Sequence, residues 1–392
     1  MYLARHNAYV VAPISDDPFA IDIAMYCRQE IDYSDVISLK TFANGEFCPR
    51  FISDEEDLNK IGHRLDNYTV IIVSTDSKST SRNELVWQNC LLARAAKDNG
   101  AKEVVLVEPD LFFSAQDRGP RPEHGKPDFV RDEVDRKKFD GQPFSSMLYA
   151  ESLKLSGVDF VITVHNHSSS VENLFNDVFD SNFMNLNPAE VFADYILTSD
   201  VVPSLHSGKG LVICAPDKGA RTMAADLQRC VGENKCDLLV LAKERLGERQ
   251  VSSLVDETSP CSVEEVCGKD VVVFDDMVRT GGTMKESCRL LKEAGATRVI
   301  FLVTHFHSTR EVRENLNSPQ IDEIITTNTL PYILNRDQQG RLRRKMTVLK
   351  LEKWIAKQIL DHIELGTDHL IGHMYRADMS SKNPRSHERK TR

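Results

Sequence analysis

The sequence predicts an α/β protein built from two similar doubly wound parallel-sheet domains. Three observations predict this class. Short β-branched apolar runs alternate with helical stretches, several runs are apolar throughout, and the strand–helix–strand order recurs after about residue 200. A strand without polar alternation is typical of a parallel sheet that is covered on both faces. The length of 392 residues also fits two domains of roughly 150 to 200 residues each.

The individual elements follow from the local pattern. Candidate strands cover 9–11, 69–74, 103–108, 159–164, 211–215, 238–242, 271–274, 299–304 and 347–351. Candidate helices cover 83–97, 145–155, 188–197, 220–231 and 284–294. Asn187 and Pro188 indicate a helix start near the domain boundary, because Asn caps free amides and Pro is tolerated at the first helical position.

This order predicts an N-terminal domain over 1–184, a C-terminal domain over 185–345, and a strand and helix over 346–375 that pack back on the N-terminal domain. Two segments fall outside the pattern. Residues 118–140 contain seven basic residues, six acidic residues and three prolines without an apolar period, which is typical of a long inserted loop. Residues 376–392 contain six basic and two acidic residues and are predicted to be a disordered basic tail.

Composition excludes several classes of function. The chain has 49 basic and 59 acidic residues, a net charge of −10, which argues against a protein whose main task is to bind nucleic acid. No apolar run is long enough to predict a membrane span, and the N-terminus does not resemble a signal peptide, so we expect a cytoplasmic protein. The nine cysteines lack the paired spacing of a zinc site and are expected to be reduced.

The most informative segment is 271–283, VVVFDDMVRTGGT, which precedes a predicted helix. A buried strand delivers two carboxylates at its end, and a turn of small residues then opens a helix whose free amides can hold a phosphate. Glycines allow close backbone approach, hydroxyls can bind the anion, and the carboxylates suit the vicinal hydroxyls of a ribose. The predicted sugar-phosphate site comprises Asp275, Asp276, Arg279, Thr280, Gly281, Gly282 and Thr283.

This string resembles the phosphoribosyl-diphosphate (PRPP) binding signature of type I phosphoribosyltransferases and PRPP synthetases. Five other segments, together with 41–46 (TFANGE), resemble motifs of PRPP synthetases in the family's order: 109–117 (PDLFFSAQD), 164–167 (VHNH), 215–220 (APDKGA), 242–245 (AKER) and 326–331 (TTNTLP). The resemblance extends over about residues 8 to 375. It implies two domains of the phosphoribosyltransferase type.

The resemblance also implies a reaction, in which the diphosphoryl group of ATP moves to the 1-hydroxyl of ribose 5-phosphate, making PRPP and AMP for nucleotide biosynthesis. Mg²⁺ is the implied cofactor, and a dimer or hexamer is the implied assembly. By resemblance, two residues of a flexible loop act in catalysis, and others bind ATP or orient the metal. These are Lys243 and Arg245 for catalysis; Phe42, Asn44, Glu46, Gln116 and Asp117 for ATP; and His165, His167 and Asp217 for the metal. The polar stretch from Gly247 to Pro260 supports a mobile flap at this loop.

Three departures mark a divergent member of the family. Ala115 stands where the family has an arginine that grips the ATP phosphates, and His165 stands where it has an aspartate. Arg279 adds a positive charge beside the sugar-phosphate site. Arg118 or Arg121, in the inserted loop, is a candidate replacement for the missing arginine.

These departures leave three interpretations open. The chain is a divergent active PRPP synthetase, a catalytically silent regulatory partner of one, or a pyrophosphokinase that acts on another ribosyl acceptor. A nucleobase phosphoribosyltransferase is disfavoured, because it has no need of segment 41–46, which resembles the adenine-binding loop of PRPP synthetases. We favour activity, since Lys243, Arg245 and the two strand-end aspartates are all present.

Overall fold

A computed structural model describes residues 3–53, 55–245 and 251–378. The chain divides into two compact units. The first runs to Leu186 and includes Glu352–Gly372, and the second comprises Asn187–Leu351 and the residues from His373 onward. The division after Leu186 lies two residues beyond the predicted boundary, because the last strand of the first sheet, Phe183–Leu186, extends that far.

The first unit is organised around a parallel sheet of five strands, with a separate two-stranded hairpin. The sheet has the order β1-β4-β5-β6-β7, and β2 pairs antiparallel with β3 in the hairpin. The elements up to the boundary are β1 Ala8–Val11, α1 Pro18–Tyr26, β2 Ile37–Thr41, β3 Phe47–Phe51, β4 Thr69–Val73, α2 Arg82–Asp98, β5 Glu103–Val107, α3 Glu133–Lys137, α4 Ser145–Ser156, β6 Phe160–Val164, α5 Ser169–Val178 and β7 Phe183–Leu186.

The second unit contains an eight-stranded sheet of order β10-β9-β8-β11-β12-β13-β14-β15. Its six inner strands are parallel, while β10 and β15 (Arg376–Asp378) are antiparallel at the two edges. Its elements up to residue 350 are α6 Ala189–Thr198, α7 Pro203–His206, β8 Leu211–Ala215, α8 Arg221–Val231, β9 Cys236–Arg245, β10 Val251–Val255, β11 Asp270–Val278, α9 Gly282–Glu293, β12 Arg298–Phe306, α10 Arg310–Leu316, β13 Glu323–Thr327, α11 Arg336–Gln339 and β14 Met346–Lys350.

The two parallel sheets confirm the predicted α/β class. Residues 70–73 of β4 and 271–274 of β11 are completely buried, which is why these two runs are apolar at every position. The sequence patterns missed the β2–β3 hairpin. Cys48 and Pro49 lie within β3, and alternate positions of this strand are exposed, so it has no continuous apolar run.

The strand and helix predicted over 346–375 to pack back on the N-terminal domain belong to different units. β14 pairs with β13 in the second sheet, whereas α12, Glu352–His362, belongs to the first unit. There, His362 Nε2 lies 2.9 Å from Glu103 Oε1. β15, Arg376–Asp378, returns to pair antiparallel with β14, so the first three residues of the predicted disordered tail form a strand. They satisfy backbone groups at the sheet edge, and residues 379–392 of the tail lie outside the described residues.

The inserted segment 118–140 is more ordered than the predicted loop. It contains the short helix α3, and the buried Asp135 of that helix accepts hydrogen bonds from Arg118 Nη1 and Arg131 Nε, both at 2.8 Å. Burial favours the neutral acid, but the hydrogen bond from Arg131 and the neighbouring cations outweigh it and lower the pKa of Asp135. The high charge content of this segment therefore reflects an internal ion-pair cluster.

Candidate functional site

The predicted sugar-phosphate site lies where β11 leads into α9. We call residues 279–283 the phosphate turn. Gly281 precedes α9 in a left-handed conformation with φ of +75°, and no side chain of the described residues caps the first turn of the helix. The amides of Gly282, Thr283 and Met284 therefore have no acceptor within the helix, and together with the helix dipole they are suited to bind an anion.

A neighbouring helix holds the phosphate turn in place. Asn315 Nδ2, in α10, donates to the Thr280 carbonyl at 2.8 Å. A Cβ atom on Gly281 would lie 3.3 Å from the Leu316 side chain, whereas one on Gly282 would meet no atom of the described residues within 4 Å. Sequence reasoning missed this support, because Asn315 is 35 residues from the carbonyl that it binds.

The two strand-end carboxylates differ in exposure. β11 continues to Val278, beyond the predicted end at 274, so consecutive side chains alternate between the faces of the sheet. Asp275 is half-buried and its Oδ1 accepts the Asp276 amide at 3.0 Å. Asp276 is 5% exposed and its Oδ1 accepts the Met277 amide at 2.7 Å. Asp275 is thus the more accessible carboxylate for a sugar hydroxyl.

Two exposed cationic side chains lie in or next to the phosphate turn. Arg279 is exposed, with its Nε 3.1 Å from Met277 Sδ, and Lys285 is exposed on the first turns of α9. Thr280 is exposed and Thr283 is half-buried. These side chains add cations and hydroxyl donors to the free amides, so the turn is suited to a phosphate dianion.

The predicted metal-orienting Asp217 and the predicted catalytic pair follow strands that end on the same side of this sheet as the phosphate turn. β8 and β9 are parallel neighbours, and β8 is also the parallel neighbour of β11, so the segments after all three strands emerge on one side. Asp217, in the turn after β8, is half-buried and its Oδ1 accepts the Ala220 amide at 3.2 Å. In the same turn, Lys218 Nζ lies 2.8 Å from the buried Asp256 and lowers the pKa of that carboxyl.

The predicted catalytic pair lies at the end of β9. The backbones of Lys243 and Arg245 pair with Ser253 and Val251 of β10, so both strands form an antiparallel hairpin. The predicted flap began at Gly247, and residues 246–250 lie outside the described residues. The hairpin extends from the sheet edge that carries the phosphate turn and the Asp217 turn.

The predicted adenine-binding residues lie at the tip of the β2–β3 hairpin. The Phe42 amide donates to the Glu46 carbonyl at 2.8 Å, and Gly45, with φ of +89°, completes the turn. Phe42 is 43% exposed, and Lys40 Nζ lies 4.7 Å from its ring centroid. Asn44 and Glu46 are also exposed. The tip therefore presents an aromatic face with polar groups beside it, as stacking on a base requires.

The two predicted ATP-binding residues that follow β5 differ in exposure. Gln116 is exposed, but Asp117 is buried, and its two carboxylate oxygens accept hydrogen bonds from Ser168 Oγ at 2.9 Å and Arg118 Nε at 3.1 Å. Arg118 also binds Asp135, and its guanidinium lies 5.0 Å from the Phe139 ring centroid. Arg118 therefore does not replace the missing family arginine, because its guanidinium is held inside the inserted segment.

The predicted metal-orienting histidines follow β6. His167 is exposed, whereas His165 is buried, has a φ of +50° and donates its amide to the Leu186 carbonyl at 2.9 Å. Among residues 3–53, 55–245 and 251–378, no three His, Cys, Asp or Glu side chains form a cluster that could hold a metal ion. A cation at this site would need ligands from a bound nucleotide or from water.

A buried acid beneath the 109–117 segment was not predicted. Glu108 directly follows β5 and is completely buried. It accepts hydrogen bonds from Tyr149 Oη at 2.8 Å and from the Phe112 amide at 3.0 Å. Burial raises the pKa of Glu108 to about 8, so its neutral form predominates at pH 7. Because Glu108 directly follows an apolar strand pattern, the sequence gave no signal that its side chain would be a buried, neutral acid.

The parallel sheet, the acidic residues near the end of β11 and the glycine turn before α9 are features of a fold of the phosphoribosyltransferase type. The family model of the phosphoribosyl transferase domain matches residues 197–331. A crystal structure of phosphoribosylpyrophosphate synthetase from Mycobacterium smegmatis shares the fold over 92% of this chain and all of that one, with a TM-score of 0.68 and 22% identity. None of the helices within the described residues is long and apolar enough to cross a membrane.

Curated relatives narrow this class. A ribose-phosphate pyrophosphokinase from Methanopyrus kandleri is 30% identical over 278 residues, which cover 71% of this chain and 81% of the relative. One from Corynebacterium efficiens is 27% identical and covers 84% of this chain and 86% of the relative. Ribose-phosphate pyrophosphokinase 4 from Saccharomyces cerevisiae is 27% identical, over 72% of this chain and 76% of the relative. The chain belongs to the ribose-phosphate pyrophosphokinase family, as a divergent member.

Proposed function

We propose that this protein transfers the β,γ-diphosphoryl group of ATP to the 1-hydroxyl of ribose 5-phosphate, releasing AMP and PRPP. The observation that carries the proposal is the phosphate turn, where free amides of α9 follow two carboxylates near the end of β11. An anion site next to carboxylates suits a phosphorylated sugar, because one part binds the phosphate and the other binds hydroxyls.

Each group then has a defined role. The amides of α9, with Thr283, bind the 5-phosphate, and Asp275 and Asp276 bind the ribose hydroxyls. Lys243 and Arg245 stabilise the charge that develops on the transferred diphosphoryl group, where one such donor contributes about 3–4 kcal/mol. The Phe42 ring stacks on adenine while Asn44 and Glu46 contact its edge. Gln116 binds the nucleotide, and Asp117 fixes the end of the 109–117 segment through its hydrogen bonds with Ser168 and Arg118.

The donor groups are compatible with Mg²⁺ that arrives with the nucleotide. Asp217 offers a carboxylate oxygen, the ligand type that Mg²⁺ prefers, and the exposed His167 offers an imidazole. His165, being buried, orients this loop through its backbone. When bound, the metal supplies charge neutralisation between two polyanions. An ion held by either residue would take its remaining ligands from phosphate oxygens and water.

One observation favours a different acceptor as a second candidate. Arg279 is exposed at the phosphate turn, where it adds a cation that an acceptor with a further anionic group would use. Under this alternative the diphosphoryl donor is still ATP. The regulatory-partner hypothesis differs from both, because it predicts no turnover with any acceptor.

An assay of AMP release distinguishes these functions. Purified full-length protein is incubated with ATP, Mg²⁺ and ribose 5-phosphate, and AMP and PRPP are both quantified. We expect equimolar AMP and PRPP. AMP formed only with another phosphorylated ribosyl acceptor would support the second candidate. No AMP from the protein alone, but altered turnover when it is mixed with an active family member, would support the regulatory partner.

We further propose a cytoplasmic protein that assembles as a homo-oligomer, from dimer to hexamer, as family membership implies. Light scattering of the purified chain measures this directly, with an expected mass that is a multiple of 44.3 kDa. A single species of 44.3 kDa at micromolar concentration would contradict the assembly.

A further inference from the structure

The second unit has a polar cleft apart from the proposed active site. It has a volume of about 710 Å³. One wall is the segment between α10 and β13, and the other is the one-turn 3₁₀ helix Gly340–Arg344 followed by Lys345. Pockets of 300–1,000 Å³ are the usual size for small-molecule sites.

This cleft lies at the opposite end of the parallel strands from the phosphate turn. The turn follows the carboxyl end of β11, whereas the residues that line the cleft immediately precede the amino ends of β13 and β14. The four strands β11 to β14 are parallel neighbours, so their amino ends lie together on one side and their carboxyl ends lie together on the other. A ligand in the cleft therefore occupies a site distinct from the phosphate turn.

Cationic side chains line the cleft. Arg341 and Arg344 are three residues apart on a 3₁₀ helix, where side chains at this spacing eclipse. Both are exposed, and neither forms an ion pair with a carboxylate in the described part of the chain. Lys345 is half-buried, and its Nζ donates to the carbonyls of Ser318 and Ile321, each at 2.8 Å. These carbonyls hold the ammonium at the cleft without neutralising it.

The carboxylate in the lining, that of Asp322, is already paired. Its Oδ2 lies 2.7 Å from Lys292 Nζ and accepts the Val299 amide, also at 2.7 Å. Burial lowers the pKa of Lys345 to about 8 despite the nearby Asp322, which indicates that its charge is incompletely compensated. The cleft therefore has an excess of positive charge on a protein whose net charge is −10.

We propose that this cleft binds a small molecule that carries a diphosphate or two phosphate groups. Two guanidiniums can each grip phosphate oxygens in bidentate fashion, and the ammonium supplies a third charge. Among the described residues, no aromatic side chain lines the cleft, so its lining lacks the stacking platform typical of single-stranded nucleic acid sites. The proposal goes beyond the proposed function and does not depend on it, because binding is measured without turnover.

Calorimetric titration of the full chain with inorganic diphosphate, without ATP or Mg²⁺, tests the proposal. The test variant is Arg341→Ala/Arg344→Ala. The matched control is Arg343→Ala, since Arg343 is exposed on the same 3₁₀ helix but does not line the cleft. The phosphate turn is identical in all three proteins, so any binding there cancels in the comparison. We expect at least tenfold weaker binding, or loss of one equivalent, in the test variant alone.

Three results would overturn the proposal. Equal binding by wild type and test variant would remove the cleft as the site. An equal loss in Arg343→Ala would show a general charge effect. Tighter binding of a 20-nucleotide RNA than of diphosphate, lost in the test variant, would replace the small molecule by nucleic acid. Arg341→Lys/Arg344→Lys keeps the charge, and partial recovery of binding would show that the alanine variant lost the site rather than its fold.

Discussion

Replacing Asp135 by asparagine should destabilise the first unit by about 3 kcal/mol, because the change leaves buried guanidinium charge without its partner. Asp135 is 6% exposed and binds both Arg118 and Arg131 at 2.8 Å. Asparagine preserves the shape of the side chain but removes its charge. The substitution therefore tests the charge interaction rather than the packing.

The expected size follows from what each arginine retains. The Arg131 side chain is 5% exposed and keeps hydrogen bonds to the carbonyls of Gly119 and Arg121, which carry no full charge. The Arg118 side chain is 22% exposed and keeps its contact with Asp117. Breaking a buried ion pair on one side costs about 3–5 kcal/mol, and the retained contacts place this case at the lower end. For a unit of roughly 200 residues, 3 kcal/mol corresponds to a fall in Tm of about 6–12 °C.

Thermal unfolding of the full chain, followed by circular dichroism, measures this shift. The control is Asp140→Asn, whose carboxylate pairs with Lys137 at the exposed end of the same segment and should leave Tm unchanged. Because folding lowers the pKa of Asp135, its stabilisation is present above about pH 4 and is lost as the pH falls below that value. Equal Tm values for the two variants at pH 7 would refute the assignment of a buried ion-pair cluster.

Three other perturbations test separate parts of the molecule. Folding raises the pKa of Glu108 to about 8, so the stability of the first unit should fall as the pH rises from about 5 to 8. Denaturant titrations at several pH values should show that Glu108→Gln removes most of this pH dependence of the unfolding free energy. An unchanged pH dependence would assign it to other groups. Gly281→Ala should lower the unfolding free energy by about 1–2 kcal/mol, because φ is +75° and Leu316 is close. The control Gly282→Ala, in open space, should be as stable as wild type. Equal unfolding free energies of the two variants would contradict the left-handed conformation at Gly281. If the proposed reaction is correct, Lys243→Ala should lower turnover by about 10²–10³ with ATP binding nearly unchanged; weaker ATP binding with normal turnover at saturation would contradict the assigned role.

Local sequence was sufficient to predict those features whose cause is local. Apolar runs such as 271–274 predicted buried parallel strands, since a strand covered on both faces has no polar position. The glycines and threonines after that strand predicted a turn there, because glycine readily adopts the left-handed conformation found at Gly281. The resemblance of ordered motifs then predicted the family to which the chain belongs.

Features that depend on distant partners were beyond local patterns. The exposed Phe42 tip lies on a hairpin whose pairing strand has no apolar run. Arg118 was a candidate replacement for the missing family arginine, but it binds Asp135, 17 residues away. The first residues of the basic tail had no apolar period, yet the open edge of β14 holds them in β15.

The sequence by itself determined the two-sheet α/β class, the phosphate turn and the family, because periodicity, glycine conformation and motif order are all encoded along the chain. Only the tertiary structure decided which charges are available to a ligand. It pairs Arg118 with the buried Asp117, buries His165, and leaves Arg341 and Arg344 exposed at an open cleft. The physical reason is that the availability of a charge depends on burial and on its partner, and here the partners are supplied by residues distant along the chain.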